Sequence, residues 1–225
     1  MTDRPSPGSQ RAATVVGIVC AVLFAGIAAI VVWEPIVGAD TAGILALRSL
    51  TSPALTTVML AASFVAHGKL AIPLALLLAI LIDRVAGHDD ALLYAGACLS
   101  GEVLHLALKA LVRHHRPVGI SPKLTDAGWY SFPSGHAMLA VVIFGLGALL
   151  ATRTAPRSVR VVAIAIATIV VVMVGISRVY LGAHWPSDVI GALVAGLGWS
   201  AACLAWEARR AASRAVAPSG ATQRL

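Results

Sequence analysis

Three short stretches of this 225-residue chain carry residues that could act together on an anion. The first, "KALVRHHRP", holds Lys109, Arg116 and Pro117. The second, "PSGH", holds Pro133, Ser134, Gly135 and His136. The third, "SRVYLGAHWPSD", holds Ser177, Arg178, His184 and Asp188. Arginine forks match phosphate oxygens in bidentate geometry, and a lysine adds a point charge. Ser134 and Gly135 open an apolar run, so the free N–H groups and dipole of a helix start add to the anion site. Glycine there lets the backbone approach closely. Asp188 stands four residues after His184. A carboxylate bonded to one ring nitrogen fixes the tautomer and leaves the other lone pair free to attack phosphorus. His136 could then protonate the leaving oxygen and later activate water. Lys109, Arg116, Arg178 and the helix N–H groups would hold the developing charge.

Other residues join this set or compete with it. On an unbroken helix Glu102, His105, Lys109, Arg113 and Arg116 fall within an arc of about 80°, a polar stripe leading down from the cations. Ionisable groups at membrane depth tend to face the bundle interior and pair. Two readings follow: a polar pair bonded across to another span, or a Glu102 carboxylate that offsets the cation cluster through His105 or a water. The neighbouring His114 and His115 invite a metal reading, but adjacent residues do not share a helix face and the only acid in that loop is Asp126. Glu102-x-x-His105 is half of a di-metal carboxylate pattern, which needs a second such motif and further glutamates. The remaining glutamates are Glu34 and Glu207, so neither a metal nor a cofactor is expected.

The elements that must position these residues follow from composition. Hydrophobic residues make up 59% of the chain, charged residues 12%, and the mean hydropathy is +0.88. A soluble domain is nearer a quarter charged. The pattern implies an all-α integral membrane bundle, each span needing about 20 apolar residues. Six spans are expected: residues 12–33, one beginning between Pro53 and Gly68 and ending near 82, 91–112, 135–151, 161–177 and 188–206. Residues 1–11 form an N-terminal tail, 12–206 the membrane domain, and 207–225 a disordered tail. "EPIVGADTAGILALRSLTSPA" reads as a short helix at the interface, and Lys69 as a residue that snorkels to the outer interface. Trp33, Trp129, Tyr130 and Trp185 read as interfacial aromatics. Cys20, Cys98 and Cys203 each lie in an apolar run, which argues against a disulfide framework.

Six spans place both termini on one side. Arg4, Arg11, Arg84, Arg153, Arg157, Arg160, Arg209, Arg210, Arg214 and Arg224 then share that side, ten of the 17 basic residues, which marks it as cytoplasmic. The net charge of +7 thus reflects topology, and no nucleic-acid partner is expected. Lys109, Arg113, Arg116 and Arg178 cluster on the opposite side, where topology does not ask for them.

The patterns K-x6-RP, PSGH and SR-x5-H-x3-D, spread over residues 109–188, resemble the three-part signature of the type 2 phosphatidic acid phosphatase superfamily, in its membrane branch. The resemblance implies a phosphohistidine on His184, His136 as acid and Asp188 as orienting group. It implies phosphate held by Lys109, Arg116, Ser134, Gly135 and Arg178. Apart from the resemblance, Pro117, Pro133 and Ser177 within the motifs, and Glu102 and His105 outside them, are candidate supporting residues. The resemblance assigns no role to Arg113, His114 or His115, and it implies no metal. The expected activity is hydrolysis of a lipid phosphate at the outer face of a plasma membrane. Isoprenoid diphosphate, phosphatidylglycerophosphate, phosphatidate and diacylglycerol diphosphate are the candidates, with a lean towards the first. A lipid phosphotransferase using an alcohol acceptor and a non-catalytic lipid-binding protein are the alternatives. The bilayer and the lipid are the expected partners, and the oligomeric state, dimer included, stays open.

Overall fold

The computed structural model describes residues 7–33, 37–120, 124, 128 and 130–216. It is helical throughout. Among the described residues the extended pairing is an isolated antiparallel bridge between His115 and Tyr130. The helices are α1 (Pro7–Val32), α2 (Val37–Arg48), α3 (Pro53–Val65), α4 (Gly68–Val85), α5 (His88–Val112), α6 (Gly135–Ala151), α7 (Arg157–Tyr180) and α8 (Pro186–Val216).

Four of these, α1, α5, α7 and α8, are long and apolar enough to cross a membrane. Helices α3 and α4 pass that test as a pair bent by 54°. Both starts considered for span two therefore exist: a helix begins at Pro53, breaks at Ala66 and His67, and resumes at Gly68. Thr56 bonds to the Tyr180 hydroxyl at 2.8 Å, while Ala66 packs with Val171 and Val174. Helix α3 thus descends beside α7 before the break. Helix α6 is shorter, 135–151. Exposed apolar side chains such as Val22 on α1, Ile72 and Leu76 on α4 and Ile169 on α7 are what a bundle shows when its solvent is lipid.

Close helix contacts rely on small residues. A Cβ on Gly198 of α8 would meet the Cβ of Cys20 on α1 at 2.8 Å, so that approach needs glycine. Inside, Ile82, Tyr94, Ala97, Val142, Leu146 and Leu150 join α4, α5 and α6 into one core. Residues Val141–Leu146 of α6 form a π-helical turn. The Tyr94 hydroxyl donates to the Ile143 carbonyl there at 3.1 Å, an inserted side chain of the kind that accompanies such turns.

Three expectations change. Helix α1 starts at Pro7, and a first-turn proline fits a helix start because its missing N–H would have been unpaired. Residues 207–216 are not a disordered tail but a continuation of α8. They are rich in Ala and Arg, strong helix formers that extend an existing helix at one bond per residue. Arg210 lies over the Trp206 ring at 4.5 Å, and Arg214 reaches Asp89 at 3.9 Å. The polar stripe on α5 is shorter than expected, because the helix ends at Val112. Arg113 adopts φ 53°, a left-handed cap whose N–H returns to the Lys109 carbonyl at 3.1 Å. Glu102, His105 and Lys109 stay on the stripe, while Arg113 and Arg116 leave it. Residues 1–6 and 217–225, with Lys123, Asp126 and Trp129, lie outside the described residues.

Candidate active site

One end of the bundle gathers the three motifs. Lys109 comes from the last turn of α5, Gly135 and His136 from the first turn of α6, Arg178 from the last turn of α7, and Asp188 from the first turn of α8. Arg116 and His184 lie in the segments between helices.

His184 is the centre of the arrangement. Its Nδ1 lies 3.3 Å from Asp188 Oδ2, and its Nε2 lies 3.2 Å from Arg116 Nη1. An arginine can only donate, so Nε2 is the acceptor and carries the lone pair, and Nδ1 carries the hydrogen towards Asp188. Burial pushes the ring down to about 4, against the pull of Asp188, which keeps it neutral.

Asp188 is fully buried. It accepts from the Trp185 backbone N–H at 2.8 Å, from the Ser131 hydroxyl, and from His114 Nδ1 at 3.1 Å. The sequence pattern does not mark Ser131, and it offers His114 only as half of a weak metal reading. Ser131 and His114 lie 57 and 74 residues from Asp188, and no local spacing rule joins them to it. The left-handed cap at Arg113 redirects the chain so that His114 turns inward while His115 stays exposed. The His115 carbonyl instead accepts from the Trp185 indole at 2.9 Å. Trp185 is thus a buried cross-link rather than an interfacial aromatic.

The cations hold main-chain oxygens and hydroxyls. Lys109 Nζ donates to the Tyr130 carbonyl at 3.2 Å. Arg116 donates to the Gly128 and Ala183 carbonyls, and burial pushes its guanidinium below the usual range. Arg178 donates to the Ser63 hydroxyl on α3, another residue not anticipated. Ser134 Oγ, Arg178 Nε and His105 Nε2 are buried and have no hydrogen-bond partner among the described residues. His136 sits 6.0 Å, ring to ring, from His67, which caps α4 by accepting from the Lys69 N–H at 3.2 Å.

The supporting residues divide. The Ser177 hydroxyl is turned back onto its own helix, donating to the Val174 carbonyl at 2.6 Å. Pro133 follows Phe132 through a cis peptide and delivers the chain to Ser134, whose N–H bonds the Asp188 carbonyl at 3.2 Å. Pro117 directly follows Arg116. Helix α2 supplies a further support. Asp40, buried, accepts from the Ser187 N–H at 2.9 Å and from the Ser187 hydroxyl, which caps α8 beside Asp188.

Fold and site together define a multi-pass membrane protein in which cations gather around a buried, oriented histidine. A profile of the PAP2 superfamily matches residues 90–212, more than half of the chain, and the chain belongs to that superfamily. Over 98 residues it is 37% identical to phosphatidylglycerophosphatase B of Bacillus subtilis (strain 168), a stretch covering 42% of this chain and 47% of that one. Over 77 residues it is 42% identical to an undecaprenyl-diphosphatase of Sulfolobus acidocaldarius, covering 34% of this chain and 32% of that one. The chain therefore spans half or less of the length of these two curated relatives. The crystal structure of a transmembrane PAP2 type phosphatidylglycerolphosphate phosphatase from Bacillus subtilis matches with a TM-score of 0.79 at 26% identity. That match covers 86% of this chain and 96% of that one.

Proposed function

We propose that this chain is a lipid phosphate phosphatase that works through a phosphohistidine on His184. The observation that carries the reading is the two-sided hold on that ring: Asp188 on Nδ1, and on Nε2 the guanidinium of Arg116. Arg116 must turn from Nε2 onto a phosphate oxygen before phosphorus can approach. Nε2 then attacks the terminal phosphorus, and the bond from that phosphorus to the leaving oxygen breaks (the lipid oxygen of a monoester, the bridging oxygen of a diphosphate). His136 gives that oxygen its proton. In the second step His136 takes a proton from water, the water oxygen attacks phosphorus, and the N–P bond breaks to release inorganic phosphate. Lys109, Arg116 and Arg178 supply the charge that a divalent ion supplies in other phosphoryl transfers, so activity is expected to survive EDTA.

The same reading takes α1, the α3–α4 pair, α5, α6, α7 and α8 as six crossings with both termini cytoplasmic. At about 1.5 Å per residue, α6 is about 25 Å long, which suits a helix whose start is recessed to form the pocket floor. A cysteine placed in residues 118–128 should react with an impermeant thiol reagent from outside cells, and one in 153–158 should not. The reverse pattern contradicts the orientation.

The relatives named above make phosphatidylglycerophosphate and undecaprenyl diphosphate the first substrates to assay. Phosphate release from one of them by the purified, folded protein supports the reading. No release from those two, from phosphatidate or from diacylglycerol diphosphate contradicts it.

A further inference from the structure

We propose that His105, which none of the three motifs includes, is a further ligand of the substrate phosphate, held in place by Glu102. The proposal rests on the phosphatase reading above and adds a contact to it.

Three observations carry it. His105 is 8% exposed, and its Nε2 has no hydrogen-bond partner among the described residues. A buried polar atom left unpaired is costly, and in native proteins such atoms usually have a functional reason. The other ring nitrogen, Nδ1, faces Glu102 Oε2 at 3.3 Å, one helical turn earlier on α5. The ring also lies against the start of α6. A Cβ built on Gly135 would meet His105 Cε1 at 2.5 Å and Nε2 at 2.7 Å. Gly135 thus leaves room for the ring beside the start of α6, where the motif resemblance places Ser134 and Gly135 against the phosphate. Two other partnerless buried atoms, Ser134 Oγ and Arg178 Nε, belong to motif residues at the same end of the bundle.

A phosphate seated over Gly135 would accept a hydrogen bond from Nε2–H. The Glu102–His105 pair then shares one proton between Oε2 and Nδ1 and holds a second on Nε2. Its net charge is zero whichever partner holds the shared proton, so the ring can donate without adding to the cations above it. Glu102 is in this account a positioning residue, bonded within its own helix rather than across to another span.

Vanadate, which imitates the five-coordinate phosphorus, is the probe. His105→Phe keeps a ring under Gly135 and removes both nitrogens, while His105→Gln keeps a donor near the Nε2 position. His105→Phe should weaken vanadate binding by about tenfold or more, and His105→Gln should recover most of that loss. Without vanadate, His105→Phe should melt at or above the wild-type temperature, because an unpaired buried group has been removed. A Phe variant that binds vanadate as the wild type does, or Phe and Gln variants that lose affinity equally, would overturn the proposal. If the Phe variant does not fold, 15N-histidine spectra of the wild type decide. The Nε2 signal lost in His105→Gln should move into the protonated range when vanadate binds, and an unmoved signal overturns the proposal. If wild-type protein neither binds vanadate nor releases lipid phosphate, the phosphatase reading itself has failed.

Discussion

The two ends of this bundle hold charge in opposite ways. At one end Arg153 bonds to Asp90 and to both oxygens of Glu207, the latter at 3.2 Å each. That cation, on the turn after α6, ties α5 and α8 together and is neutralised by carboxylates of the protein. At the other end stand Lys109, Arg116 and Arg178. Among the described residues no carboxylate lies within the 4.0 Å ion-pair distance of any of them. Asp188 is close by, but its oxygens serve His184, His114, Ser131 and the Trp185 N–H. A buried charge that braces a structure is matched internally, because an unmatched one is costly. Cations left with neutral partners are an arrangement suited to an anion that arrives from outside.

Breaking each end should therefore have different consequences. The largest effect belongs to His184→Ala, which should abolish phosphate release, a loss of about 10⁴-fold or more. Retained turnover would mean that another group attacks phosphorus. Asp188→Asn keeps the shape but no longer fixes the tautomer, and kcat should fall by about 10³-fold. His114→Phe removes one of four contacts to Asp188. It should lower kcat by about tenfold with little change in KM, as expected for a group that acts only through the nucleophile's orientation. A raised KM with unchanged kcat would make His114 a substrate contact instead. Arg153→Ala should do the reverse of all these. It should lower the melting temperature by about 4 °C or more while kcat/KM stays within about twofold. A folded Arg153→Ala protein without activity would remove the distinction between the ends.

The smallest effect is on stability with pH. The folded His184 ring protonates at about 4, below its ordinary 6.5. Between those values the unfolded chain takes up a proton that the folded chain does not, so stability falls as the pH drops through that window, by at most about 1.4 kcal/mol per pH unit. The melting temperature of the wild type should fall more steeply from pH 7 to pH 4.5 than that of His184→Asn. Equal slopes would mean that the ring is not held neutral by the fold.

The sequence was informative where a property is local. Apolar runs marked α1, α5, α6, α7 and α8, and 135–151 coincides with α6 at both ends. The motif residues carry their own spacing, so Lys109, Arg116, His136, Arg178, His184 and Asp188 are legible from the sequence. What stayed hidden depends on tertiary contact. Ser131 and His114 reach Asp188 only because the 113–116 and 130–131 segments meet at the His115–Tyr130 bridge. Asp40 caps α8 from 147 residues away. The end of α5 turned on one left-handed residue, Arg113, where a glycine would have signalled the stop. The break between α3 and α4 fell inside one apolar stretch, and Ser63 became a partner of Arg178 only through the way α3 packs beside α7.

The most direct test of the central claim is to catch the intermediate. The purified protein would be mixed with phosphatidylglycerophosphate or undecaprenyl diphosphate carrying a radiolabelled terminal phosphate and quenched within the first turnover. The account predicts an acid-labile, alkali-stable label on the peptide that contains His184, formed and lost at rates that support turnover, and absent from His184→Ala. Turnover without such a label, or a label on the His136 peptide, would contradict it.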